Sequence, residues 1–294
     1  MSIAFLGLGN MGGPMAANLV KAGEKVTGYD PVPDARAAAA GNGVSVATAA
    51  IAAVADAAVV ITMLPSGQHV LDCYRDIVPA ASPGTLFLDC STIEVADARD
   101  AADLAAADGH LALDAPVSGG VVGAAAATLT FMVGGPSEAF ITAEPYLKSM
   151  GKRIVHCGET GAGQAAKICN NMILGVSMIA VSEAFALGRR LGLTDQALFD
   201  VASTASGQCW ALTTNCPVPG PVPASPANRD YAGGFASGLM LKDLRLAQAA
   251  AQAEGVRTEL GKHAEERYTA FVAADGPGRD FSAIITSLTK DGTA

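Results

Sequence analysis

The segment GLGNMG, residues 7–12, follows the apolar run Ser2–Leu6 and leads into a helical pattern over residues 13–19. It is a G-x-G-x-x-G between a strand and a helix. Gly7 permits the tight turn out of the strand, and Gly9 lets backbone approach a pyrophosphate. Gly12 lets helix and strand pack closely, with phosphates at the helix N-terminus. Alone the motif is weak, but its second half is present. Lys25–Tyr29 reads as the next strand, and Asp30 ends it about 20 residues beyond the glycines, where an acid binds an adenosine ribose 2′-OH. Together these features predict a dinucleotide site.

With 294 residues, the chain can bury one large or two moderate cores. Half of it is hydrophobic and 16% is charged, which excludes a disordered chain. A net charge of −9 argues against nucleic acid or an anionic membrane as partner, while a small anion can still find a locally positive site. Cys73, Cys90, Cys157, Cys169, Cys209 and Cys216 show neither C-x-x-C nor zinc spacing, as expected of reduced intracellular thiols. His69 and Cys73 are four apart with no other ligand nearby, so no metal is expected. No leader or transit pattern is read at the start, and the uncharged stretch 168–182 is short for a membrane span and contains Asn170 and Asn171. The expectation is a cytoplasmic protein.

Up to about residue 155, apolar strand candidates (2–6, 25–29, 57–62, 85–90, 111–114, 128–133 and 153–156) alternate with Ala-rich helical stretches such as 47–55 and 94–107. Near-continuous apolar strands separated by helices predict an α/β fold with a doubly wound (Rossmann) parallel sheet. After the bend at 158–163 the pattern is helical throughout: 164–192, 195–205, 239–254, 258–273 and 281–288. The predicted division is an NAD-binding domain over 1–163 and an all-helical substrate and oligomerisation domain over 164–294, joined by the long helix. Residues 216–230, CPVPGPVPASPANRD, carry five prolines. A polyproline linker is one reading. An ordered loop near the active site is favoured, because long loops inside compact domains usually serve function.

Three segments suggest chemistry. In Asp114-Ala-Pro-Val-Ser118-Gly119-Gly120, backbone N–H groups beside a hydroxyl, at the carboxyl end of a strand, suit a carboxylate. In GAGQAAKICNN, residues 161–171, Lys167 and Asn171 share one face of the long helix, and Leu174, Gly175 and Met178 continue it without a polar group. Lys167 reads either as a snorkelling lysine or as a partly desolvated general acid–base. Lys242-Asp243 on a later helix reads by itself as a surface pair.

Together, GLGNMGGPMAANL, DAPVSGG, GAGQAAKICNN and LMLKDL resemble the cofactor, substrate, catalytic and late-lysine motifs of the β-hydroxyacid dehydrogenase family over almost the whole chain. The resemblance implies Lys167 as catalytic acid–base and Asn171 as the residue holding substrate. It implies Ser118, Gly119 and Gly120 as the carboxylate site, with Trp210 also against the substrate. NAD is the implied cofactor, contacted by Gly7, Gly9, Asn10, Met11, Gly12, Asp30, Leu64, Pro65, Thr92 and Lys242. His69 stands where the family often has Asn, and Ala127 where it usually has Gly. SGQCW, CPVPG and YAGGF resemble the 3-hydroxyisobutyrate dehydrogenase branch. That implies NAD-dependent oxidation of 3-hydroxyisobutyrate to methylmalonate semialdehyde, a valine-breakdown step. The long apolar helix and the Ala-rich helical domain predict a homodimer or homotetramer. The alternatives are a reductase of tartronate semialdehyde, succinic semialdehyde or glyoxylate, and an inert dinucleotide sensor.

Overall fold

The computed structural model describes residues 2–290. The chain forms two compact units, Met1–Lys167 and Ile168–Ala294.

The first unit is built on one sheet. Strands β1 (Ser2–Leu6), β2 (Lys25–Tyr29), β3 (Ser45–Val46), β4 (Val59–Thr62), β5 (Leu86–Asp89) and β6 (Leu111–Asp114) lie in the order β3-β2-β1-β4-β5-β6, all parallel. This is the doubly wound order, with its reversal beside β1. Helices α1 (Gly12–Lys21), α2 (Pro33–Gly41), α3 (Ala50–Val54), α4 (Gly67–Ile77) and α5 (Val95–Ala107) make the crossovers. Alternation along β1 splits the core: Ile3 and Phe5 join one buried cluster and Ala4 and Leu6 the other.

Beyond β6 the parallel pattern ends. β7 (Val117–Ser118) and β8 (Leu129–Gly134) flank the short helix α6 (Gly120–Ala125), and β8 runs antiparallel to both β6 and β7. Helix α7 (Ser137–Met150) then returns the chain to β9 (Gly151–Gly158), parallel to β8. Two-residue strands such as β3 and β7 are too short to show a period, so the sequence gives no sign of them.

Helix α8 (Ala162–Arg190) leads into the second unit. There α9 (Asp195–Ala202), α10 (Trp210–Thr213), α11 (Ser237–Ala253), α12 (Glu259–Asp275) and α13 (Ile285–Lys290) follow, with no named strand among the described residues. α8 has the length and hydropathy of a membrane span. One face of it joins the core of the second unit, where Met178 and Ile179 pack with Leu244, Tyr268 and Phe271, and Asn171 is buried.

The proline-rich segment is ordered, not a polyproline linker. Ser225 Oγ donates to the Cys216 carbonyl at 2.6 Å, and the Tyr231 hydroxyl to that of Pro217 at 2.9 Å. The Asn228 amide bonds the carbonyl of Val222 and the N–H of Gly220, both at 2.9 Å. Five prolines reduce the entropy lost on fixing this loop, and side chains satisfy backbone groups that no ladder could.

Candidate active site

The parallel strands end on one row. Register pairs Leu6 with Tyr29 and with Thr62, Thr62 with Asp89, and Asp89 with Asp114. The segments that follow therefore emerge at one edge of the sheet. They include the 7–12 loop, Asp30, Leu64 and Pro65, Thr92, and Ser118–Gly120 one short strand later. Ligands of doubly wound sheets bind at this edge.

In the 7–12 loop the three glycines have different reasons. A Cβ on Gly7 would lie 2.3 Å from the Met63 carbonyl oxygen, and one on Gly12 would lie 1.9 Å from that of Gly7. A Cβ on Gly9 would meet no protein atom within 4 Å. Gly7 and Gly12 are thus required by packing, while Gly9 is bare backbone facing open space, which fits a phosphate group approaching it.

Asp30 is buried, and its two carboxylate oxygens accept from the N–H groups of Leu8 and Val32, each at 2.8 Å. It therefore holds the 7–12 loop in place. The Arg36 guanidinium is turned onto the Asp30 and Pro31 carbonyls. His69 is exposed on α4, and its Nδ1 lies 2.7 Å from the hydroxyl of Ser66, which caps that helix.

Behind the edge is a polar network that sequence reading missed. Asp89 Oδ1 accepts from the hydroxyls of Thr62 at 2.7 Å and Ser91 at 2.6 Å. The Leu64 N–H donates to Ser91 Oγ at 2.8 Å. The loops that carry Leu64 and Thr92 are thereby tied to each other. Asp114 Oδ1 and Oδ2 accept from the N–H groups of Gly161 and Gln164, at 2.7 and 2.8 Å, so this carboxylate caps the start of α8. Burial outweighs those bonds and pushes the Asp114 carboxyl up to about 6. A signal existed: VVIT, LFLD and LALD each end an apolar strand on a polar residue. Nearby thiols are not activated. Burial first, then the charges of Asp89 and Asp76, push Cys73 up to about 12, and burial raises Cys90 as well. Among the described residues no cluster of His, Cys, Asp and Glu could hold a metal.

Ser118 is partly buried, and Gly119 and Gly120 both have positive φ, 134° and 61°. Side chains rarely adopt these conformations, so the sequence Gly-Gly is dictated by the backbone. The next residues form α6, which is a single short helix. Lys167 is 6% exposed, within the second turn of α8.

Asn171, four residues further along α8, is the first site residue of the second unit. Its Nδ2 donates to Asp243 Oδ2, and its Oδ1 accepts from Asn170 Nδ2 at 2.9 Å. Asp243 is buried, so Lys242-Asp243 is not a surface pair. Lys242 is half-buried, and Trp210 is half-exposed at the start of α10.

Residues 2–158 match the NAD-binding domain of 6-phosphogluconate dehydrogenase. Residues 161–288 match a domain described as the NAD-binding region of NADP-dependent 3-hydroxyisobutyrate dehydrogenase. A Mycobacterium tuberculosis protein named probable 3-hydroxyisobutyrate dehydrogenase is 58% identical over 98% of this chain and 97% of its own length. The chain belongs to the β-hydroxyacid dehydrogenase family. Membership makes it an NAD-using oxidoreductase. Another relative, the NAD-dependent L-serine dehydrogenase of Pseudomonas aeruginosa, is 48% identical over 96% of both chains. The fold agrees with a solved structure of M. tuberculosis 3-hydroxyisobutyrate dehydrogenase with L-serine, at a TM-score of 0.96 and 58% identity over 98% of both chains.

Proposed function

We propose that this protein oxidises 3-hydroxyisobutyrate to methylmalonate semialdehyde. The observation that carries the reading is an amine and an amide, Lys167 and Asn171, buried one turn apart on α8. A buried lysine on an apolar stripe needs a chemical reason. NAD, when bound, supplies the hydride acceptor for the carbinol carbon. Lys167 takes the hydroxyl proton as the carbonyl forms, and in the reverse direction its ammonium stabilises the alkoxide. Ser118 and the N–H groups of Gly119 and Gly120 hold the carboxylate, and Asn171 holds the hydroxyl end. The loop of Gly7, Gly9, Asn10, Met11 and Gly12 takes the pyrophosphate, and Asp30 the ribose hydroxyls. Leu64, Pro65, His69, Thr92 and Lys242 are the remaining proposed cofactor contacts, and Trp210 a substrate contact.

L-serine is the second reading, favoured by the name of one relative and by the L-serine in the solved structure of another. It differs from 3-hydroxyisobutyrate by an ammonium in place of a methyl. An assay of NAD reduction with both substrates separates the readings. A higher kcat/KM for 3-hydroxyisobutyrate is expected, and a higher value for L-serine reverses the assignment.

We place the protein in the cytoplasm as a homodimer or homotetramer. An apolar groove of about 530 Å³ in the second unit, lined by Met172, Val176 and the exposed Ile173 and Leu260, supports a second copy there.

A further inference from the structure

Gln164 is completely buried two residues into α8. Its Nε2 donates to the Ser91 carbonyl at 2.8 Å, and its Oε1 accepts from the Ile93 N–H at 3.2 Å. One side chain thus bonds the backbone on both sides of Thr92. Its own N–H donates to Asp114. Ser91 in turn holds the Leu64 N–H through its hydroxyl. Three residues beyond Gln164, and so on the same face of the helix, is Lys167.

We propose that Gln164 is a positioning residue for the reaction, which fixes the loop bearing Thr92 against the helical turn that presents Lys167. The inference rests on the roles proposed above for those two residues. The amide holds the hydride-accepting and proton-accepting sides of the site in register. Misplacement of about 1 Å in such an arrangement can lower a rate on the order of 10²-fold. Only a group that donates and accepts at once can bridge a carbonyl and an N–H on either side of one residue.

Gln164→Glu tests this. The ionised carboxylate still accepts from Ile93 but faces the Ser91 carbonyl with no proton. The protonated acid restores both bonds. Asp114 and Asp89 are the anions around the position, and Arg99, against Gly161, and Lys167 are the cations. Burial, the Asp89 carboxylate and, above about pH 6 where it ionises, Asp114 keep the introduced group protonated into mildly acidic solution. Rates are taken per NAD-binding site, counted by calorimetric titration, so that loss of folded protein does not enter. In alkaline buffer, kcat of Gln164→Glu should fall about 10–100-fold, with KM for NAD nearly unchanged. The deficit relative to wild type should close as pH falls. Gln164→Met, of similar volume, should show a deficit that pH does not relieve. The proposal is overturned if both variants keep wild-type kcat, if the Glu deficit does not respond to pH, if the loss lies in KM for NAD alone, or if neither variant folds. Lys167→Ala is assayed in parallel. Full activity there refutes the underlying assignment of Lys167, whereas full activity confined to the Gln164 variants refutes this inference alone.

Discussion

The amide of Asn171 donates to the carboxylate of Asp243, two buried side chains 72 residues apart in sequence. The bond fixes the rotamer of Asn171, the residue proposed to hold the substrate. Asp243→Ala removes the acceptor and strands a buried donor, which costs about 1–3 kcal/mol. We expect a raised KM for the hydroxyacid and a lower denaturation midpoint. Asp243→Asn can still present an oxygen and should retain most activity. Equal loss in both variants, measured by steady-state kinetics, would show that charge at residue 243 matters and not the bond.

Lys167→Ala should lower kcat by about 10²–10⁴-fold, the usual contribution of general acid–base catalysis, while NAD binding survives. Lys167→Arg keeps the charge but cannot accept a proton at working pH. It should be nearly as impaired. A Lys167→Arg enzyme that runs near the wild-type rate would mean that Lys167 acts only through its charge.

Asp30 should set a preference for NAD over NADP, because a 2′-phosphate would face its carboxylate. Asp30→Ala should narrow that preference. It also unpairs the N–H groups of Leu8 and Val32, so KM for NAD should rise as well. Wild-type efficiency with NADP equal to that with NAD would refute the assignment.

Asp114, raised to about 6 from an ordinary 3.8, makes stability depend on pH. Between these values the folded protein binds the proton and the unfolded chain releases it. The contribution of Asp114 is therefore fully present below the unfolded value and is lost as pH rises through about 6. The shift corresponds to up to about 3 kcal/mol. In urea titrations, the stability difference between wild type and Asp114→Asn should move against wild type as pH rises across this window. A difference that stays constant would mean that the carboxyl titrates normally.

Ala127 sits at φ 54°, in the left-handed region, just before β8. An L-residue pays roughly 1–2 kcal/mol there, and glycine returns part of that gain as unfolded-chain entropy, about 0.4–1 kcal/mol. Ala127→Gly should stabilise the protein by about 0.5–1 kcal/mol, net of these two effects, with kcat unchanged. Destabilisation on denaturant unfolding would show that the methyl makes a packing contact worth more than the strain.

Local physics wrote much of this protein directly into its sequence. Continuous apolar runs separated by helical periods specify a parallel sheet, because only strands covered on both faces can be apolar throughout. The spacing from Gly7 to Asp30 specifies the ends of two adjacent parallel strands. Lys167 and Asn171 share a face because a helix brings residues four apart together. The antiparallel turn at β8 was not legible, since β7 is two residues long and leaves no period to read. Nor were the partners of the site. Gln164 and Ser91 are 73 residues apart, and Asn171 and Asp243 are 72. In the sequence, Gln164 is a helix residue among alanines and Asp243 half of a surface-like pair. Register and helix packing alone decide that each is buried, and burial makes a satisfied hydrogen bond obligatory. Sequence marked the groups proposed for the chemistry, and tertiary structure decided which groups hold them still.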